Sequence, residues 1–251
     1  MKKFIVLCLF FGLSLCAVAP LFGQENGEYE ANFNYTPPVE GDPNPVDVTF
    51  TLANTFYKTS NGIHWFASPQ FANFSGATQE DLTKILTEKG FSVRGPYESY
   101  DLIPFQDKKA IDLLLVPTVE LTVELKDHKE QAANMWQAAA DQTQTGNAEV
   151  RGKIILEMKE IATQELMWAK TIPVKNFAFP YFIKVQFKEY ARIKKSGSRG
   201  LYSYDIIFNG MANGVEEQYP DIMGTIDSLI DPEEMIMIKK QCQELKSKKG
   251  Y

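Results

Sequence analysis

The 251 residues contain two histidines and three cysteines, so the chemistry open to this chain is narrow. His64 sits in the aromatic stretch Gly62-Ile63-His64-Trp65-Phe66, which reads as a turn or a strand end. His128 sits in Lys126-Asp127-His128-Lys129-Glu130, where solvation is the simplest fate. A metal site or an acid–base pair needs such groups repeated at turn or helix spacing, and neither neighbourhood offers a second ligand. Cys8 and Cys16 fall in the first apolar segment, and Cys242 stands alone near the other end. This pattern excludes a CxxC redox pair, a thiolate zinc site and an iron–sulfur cluster. No G-x-S-x-G elbow, H-E-x-x-H helix or P-loop is present. Gly197-Ser198-Arg199-Gly200, after Lys194 and Lys195, lacks the spacing of a phosphate cradle and reads as a turn. The expectation is a protein that is not an enzyme, uses no cofactor and no metal, and acts by binding.

Binding without catalysis draws on rings and charges. Trp65, Trp136, Tyr97, Tyr100, Tyr202 and Tyr204 fall in expected loops or strand ends, where an exposed ring can stack on a sugar or anchor a protein contact. The basic residues form no stripe with interleaved aromatics, so nucleic acid is not an expected partner.

The elements that would position these groups begin after an export signal. Lys2 and Lys3 precede the apolar run Phe4 to Leu15, small residues follow, and no acid occurs before Glu25. Such a segment is too short to span a bilayer and fits a secretory signal peptide over residues 1–23. Cleavage before Gln24 leaves 24 basic residues against 32 acidic ones, a net charge of −8 where the whole chain carries −6. Only Cys242 then remains, so no internal disulfide forms even in an oxidising compartment. Residues 24–46, with Pro37, Pro38, Pro43 and Pro45, read as a polar, extended leader. A single domain is expected over residues 47–251.

Within it, Val46 to Leu52 alternates as a strand. Thr78 and Asp81 have capping-box spacing ahead of Leu82, Ile85 and Leu86, so a helix is expected over 78–90 with Gly90 as its stop. Phe91 to Val93 reads as a short strand, and Tyr97 to Lys109 as a loop. Ile111 to Leu125 is the most strand-like stretch: Leu113, Leu115, Val119, Leu121, Val123 and Leu125 share one parity, and Glu120, Thr122 and Glu124 the other. Leu114 and Val116 make its first half apolar on both faces, which places that half centrally, with Pro117 at a bulge or a position without a ladder bond. Gln131 to Ala140 reads as a short helix and Asp141 to Asn147 as a turn. Val150 to Glu157 and Glu165 to Val174 pair across a hairpin, and Lys184 to Phe187 and Tyr202 to Phe208 read as further strands. Asn209 to Gly214 is turn-like and leads into a helix carrying Ile222, Met223, Ile226, Leu229 and Ile230. Asp231, Pro232 and two acids open a last helix that closes on Lys246, Lys248 and Lys249. The fold class is α+β: a largely antiparallel or mixed sheet, with one helix near 78–90 and C-terminal helices packed on it.

One resemblance emerges from these segments. Ile85-Leu86-Thr87-Glu88-Lys89-Gly90-Phe91-Ser92-Val93, then Phe105-Gln106-Asp107-Lys108-Lys109, then Leu113 to Leu121 resemble the neuraminyllactose-binding haemagglutinin (HpaA-type) family of Gram-negative surface proteins. Ile222-Met223, Ile226-Asp227 and Gln243-Glu244-Leu245-Lys246-Ser247-Lys248 are similar to its closing helices. The resemblance implies an exported protein of the outer membrane, cell surface or periplasm. Its partners would be sialylated host glycans, or outer-membrane and envelope proteins if it serves instead as an accessory or structural component. The family's basic stretch after the long strand falls on Lys126, His128 and Lys129, so these are the implied ligand contacts in a loop. Lys126 and Lys129 attract a sugar carboxylate, whereas Asp127 and Glu130 repel it. The family's lipid anchor would fall on Cys16, where the bulky Leu15 just before it fits poorly; cleavage before Gln24 fits better.

Overall fold

The computed structural model describes residues 29–38, 44–59, 63–95, 97, 100–131, 142–185 and 203–250. Three long strands form its frame: β4 (Leu113–Gln131), β5 (Gln142–Glu160) and β6 (Leu166–Val185), antiparallel to one another. Short β1 (Thr49–Leu52) and β2 (Phe56–Lys58) lie parallel to β4, and β3 (Ser92–Arg94) lies parallel to β1. The sheet is therefore mixed, in the order β3-β1-β4-β5-β6 with β2 also beside β4. Among the described residues four α-helices accompany it: α1 (Phe74–Glu88), α2 (Phe105–Ala110), α3 (Asp205–Leu229) and α4 (Pro232–Lys249). The class is α+β, as the sequence implied.

Strand parity decides where the core sits. Leu113, Leu115, Val119, Leu121 and Val123 of β4 turn to one face with Ile154, Leu156 and Met158 of β5, and α1, α3 and α4 cover that face. Each fully buried Leu or Ile there contributes about 2 kcal/mol over leaving it exposed. Leu114 and Val116 turn to the opposite face, where Ile103, Ile111 and Ile161 bury them under α2 and the turn before it. Two-sided burial at the start of β4 is thus real, and Pro117 keeps register with Leu156 without a bulge. Gly90, at φ 84°, supplies the left-handed stop after α1.

Several local expectations are corrected. Helix α1 begins at Phe74, so Thr78 and Asp81 lie mid-helix and buried rather than at a cap. The 97–109 stretch contains a 3-10 turn and α2 rather than loop alone. Residues 142–147 belong to β5 and not to a turn. Lys184 and Val185 end β6 instead of opening a strand of their own. Residues 205–208 and the turn-like Asn209 to Gly214 are the first turns of α3. The physical reason for the last is packing: Phe179 lies against Gly210 and Phe177 against Gly214, so close that a Cβ at either glycine would overlap the ring. Glycine there is a notch in a helix and not a turn signal. The helix expected over 131–140 lies outside the described residues apart from Gln131, which ends β4.

The proline-rich leader also behaves differently from a spacer. Residues 29–38 have no regular backbone structure, yet Ala31 and Phe33 are core residues. Phe33 packs edge-on to Phe74 with centroids 4.7 Å apart. Tyr29 donates to Glu216 and Tyr35 donates to Asp227 at 3.1 Å, so the segment straps α3 along much of its length.

Strand β6 has one neighbour, β5, among the described residues. Pro173, Pro180 and a bulge at Lys175 and Asn176 interrupt it, devices that discourage a further strand from adding there.

Candidate functional site

The residues to be placed are Lys126, His128 and Lys129, which the sequence put in a loop after the long strand. They are instead inside it. Strand β4 runs on to Gln131, and its pairing with β5 continues through Lys126 with Asn147, Lys129 with Thr145, and Gln131 with Thr143. Between Lys126 and Lys129 the register shifts, because two residues, Asp127 and His128, face the single Gly146. Asp127 takes a φ of 51° to make this bulge.

The bulge sorts the candidates. In an uninterrupted strand, residues three apart point to opposite faces. The extra residue restores parity, so Lys126 and Lys129 both point to the outer face, away from α1, α3 and α4. His128 goes the other way: its Nδ1 lies 2.7 Å from the Tyr181 hydroxyl, with the two rings stacked at 6.3 Å. Tyr181 reaches it by crossing over Gly146, where a Cβ would sit 2.6 Å from the Tyr181 oxygen and 2.8 Å from the Lys126 carbonyl. Burial pushes the Tyr181 phenol up from its ordinary value. His128 thus braces the bulge and does not share a face with the two lysines. Glu130, expected to repel an acidic ligand, pairs with Gln144 on the helix-covered side and is likewise off that face.

Charge on the outer face is segregated. Towards the sheet's middle it is a lattice of ion pairs: Lys153 with Glu120 at 3.5 Å, Arg151 with Glu149 at 2.6 Å, and Lys126 with Glu124 at 2.7 Å. Exposed pairs of this kind add little to stability because water and salt screen them, so the lattice matters more as surface chemistry than as reinforcement. The hydrogen bond to Glu124 raises the Lys126 ammonium above its ordinary value, and the same bond holds Glu124 below its own. Beyond it, among the described residues, the cross-strand rows of this face contain no acid. The next two cross-strand rows read Lys129, Thr145, Phe182 and Gln131, Thr143, Lys184. Lys129 is exposed and, among the described residues, has no ion-pair partner.

Phe182 and Thr145 are the residues the sequence reading passed over. Phe182 is 56% exposed although it sits in a strand. The available signal was parity: Tyr181, Ile183 and Val185 are buried, so the alternate positions Pro180, Phe182 and Lys184 had to face outward. The aromatics singled out from sequence are less available. Trp65 is buried, Tyr97 and Tyr100 pack on the smaller core, and Tyr204 stacks on Phe208 at 5.8 Å. Trp136, Tyr202, Cys16 and the 197–200 turn lie outside the described residues. His64 is exposed and edge-on to Phe66, and Cys242 is buried with its thiol pushed up to about 12 by burial. Among the described residues, no three His, Cys, Asp or Glu side chains are grouped to hold a metal ion.

No protein-family model matches the chain, and no curated protein matches it. Its fold does have solved counterparts. A homologue of the neuraminyllactose-binding hemagglutinin from Helicobacter pylori superposes with a TM-score of 0.55 at 14% identity, over 83% of this chain and 98% of that one. The long three-stranded sheet with its closing helices is therefore a known fold, and at that identity the likeness extends to fold alone. A protein from Xanthomonas campestris aligns at TM-score 0.35 and 10% identity, covering 86% of this chain and 98% of its own. A lipoprotein from Neisseria meningitidis aligns at 0.23 and 10%, covering 69% and 99%. Neither of these two scores supports an inference. Among the described residues no helix is long and apolar enough to cross a membrane.

Proposed function

We propose that this chain is an exported protein of the bacterial envelope that works by binding rather than by catalysis, and that its ligand is an acidic glycan held on the outer face at the end of the β4-β5-β6 sheet. The observation that carries this reading is the segregation of charge. On a protein with net charge −6, the row Lys129, Thr145, Phe182 carries an exposed lysine that has no ion-pair partner among the described residues, beside the row Gln131, Thr143, Lys184. A positive patch of this kind attracts a carboxylate locally, against the repulsion of the whole molecule. The fold shared with a haemagglutinin homologue makes sialylated chains the first to try.

The test is a glycan array probed with the native protein and with Lys129→Ala. Binding to sialylated or other carboxylate-bearing chains that weakens in the variant is expected; no signal on any acidic glycan sinks the reading. Membrane fractionation and mass determination of the mature N-terminus check export and report on Cys16.

A second reading, an accessory envelope protein acting through protein contacts, is favoured by a separate observation. Leu102, at the end of the 3-10 turn 100–102, is 60% exposed, and Phe105, the first residue of α2, is 71% exposed. Exposed apolar pairs of this size mark contact surfaces. Cross-linking from Phe105 in intact envelopes tests it: a discrete protein adduct supports it, and none rejects it.

A further inference from the structure

Beyond the general patch, one row of the sheet has the composition of a defined subsite. We infer that Lys129, Thr145 and Phe182 together bind a single carboxylate-bearing sugar residue, with Phe182 stacking on the sugar ring and Lys129 taking its carboxylate. This deepens the glycan reading above and rests on it.

The three residues come from three different strands and meet only because each pairing is fixed. Lys129 pairs with Thr145, and Thr145 pairs with Phe182. Neighbouring strands lie about 4.8 Å apart, so the outer two backbones stand roughly 10 Å from each other with a small hydroxyl side chain between them. That gap accommodates one pyranose. Phe182 forms one wall, 56% exposed and in a rigid strand, so its ring is presented without the ordering cost of a loop. An aromatic face packs against the apolar C–H face of a sugar, while the Thr145 hydroxyl can donate to or accept from ring hydroxyls. Lys129 forms the other wall, and a carboxylate there gains a charge-assisted hydrogen bond.

Two neighbours define what the subsite is not. Lys126, one row back, has its ammonium hydrogen-bonded to Glu124 and stands 4.0 Å from Glu149, so a ligand would have to compete with two carboxylates already in place. His128 faces the opposite side, on Tyr181. Of the two lysines implied by sequence, Lys129 is therefore the contact. Phe182, 53 positions further along the chain, is its partner, with Thr145 as the floor.

Titration of the purified protein with sialyllactose, a hexuronate oligosaccharide and neutral lactose decides the matter. Phe182→Ala is expected to weaken binding of every sugar that binds by about tenfold, and Phe182→Trp to restore it. Lys129→Ala is expected to weaken the two acidic sugars by about tenfold and leave lactose unchanged, while Lys126→Ala leaves all three within about twofold. Whichever of the two acidic sugars binds more tightly identifies the source of the carboxylate. An unchanged affinity in Phe182→Ala, with the native protein binding, overturns the subsite and leaves the acidic-glycan reading standing. No binding of either acidic sugar by the native protein overturns both. All three substituted side chains are exposed, so unchanged thermal unfolding confirms that folding is intact.

Discussion

The hydroxyl of Tyr219 on α3 donates to Asp81 Oδ2 on α1 at 2.9 Å, deep between the two helices. Asp81 is 2% exposed, and its other oxygen lies 3.2 Å from the Lys84 ammonium. Burial and the Asp81 charge push the Tyr219 phenol far up, so it stays a neutral donor at any physiological pH. Removing the donor leaves a buried carboxylate one bond short, which costs about 1–3 kcal/mol. Tyr219→Phe should therefore lower stability by that amount in urea unfolding; a change under about 0.5 kcal/mol would show that the bond is not coupled to the fold.

The strap supplies an alkaline prediction. Burial, then the hydrogen bond to Asp227, pushes the Tyr35 phenol up to about 12. A phenol raised in the folded state contributes stability that is fully present below pH 10, its ordinary value, and is lost as pH rises through about 12. Tyrosinate absorbance should rise late in the native protein, and Tyr35→Phe should flatten the stability profile across that window. Equal slopes in both proteins would refute the assignment.

At acid pH the sensitive group is Glu160. Burial alone would raise its carboxyl, but bonds from the Ala162 and Thr163 amides and Lys246 at 3.1 Å outweigh burial and hold it below the ordinary carboxylate range. A depressed carboxyl contributes stability above its unfolded value of 4.5 and loses it as pH falls below that. Glu160→Gln should remove this acid-dependent part, measured by denaturant midpoints from neutral pH downward. At neutral pH the same substitution should cost about 1–2 kcal/mol, because one charged acceptor is lost while Lys246, 22% exposed, is still reached by water.

Gly214→Ala sets two effects against each other. Helix propensity favours Ala by about 1 kcal/mol, whereas displacing the Phe177 ring costs about 1–3 kcal/mol. The expected result is a net loss of about 1 kcal/mol in the native background and a gain once Phe177→Ala is also present. A stabilised single variant would mean the ring swings aside freely.

These contacts also explain what the sequence could and could not reveal. The inward parity of β4, the Gly90 stop and the Asp231 cap, which accepts from the Glu234 amide at 2.8 Å, are local patterns, and local patterns are legible. Gly210 and Gly214 read as turn residues because nothing nearby announces Phe177 and Phe179 from another element. Thr78 and Asp81 imitate a cap for the same reason: Asp81's true partner, Tyr219, is 138 positions away. In the candidate site, the charges of Lys126 and Lys129 were visible but their shared face was not. A bulge of one residue decides which way a side chain points, and no periodicity within β4 alone encodes it. Phe182 was invisible as a partner until the β5 to β6 register was known.

The two glycine notches match the strand they receive. Four residues of helix advance about 6 Å and two residues of strand about 6.6 Å, so Gly210 and Gly214 accept Phe179 and Phe177 at nearly the same pitch. Teeth and sockets of equal spacing index α3 along β6, and the helix cannot creep by a fraction of a turn without lifting both rings. Phe179 lies only three positions before Phe182. A ligand that tugged on the end of β6 would therefore pull against the longest helix among the described residues, which makes this face a stiff handle rather than a compliant one.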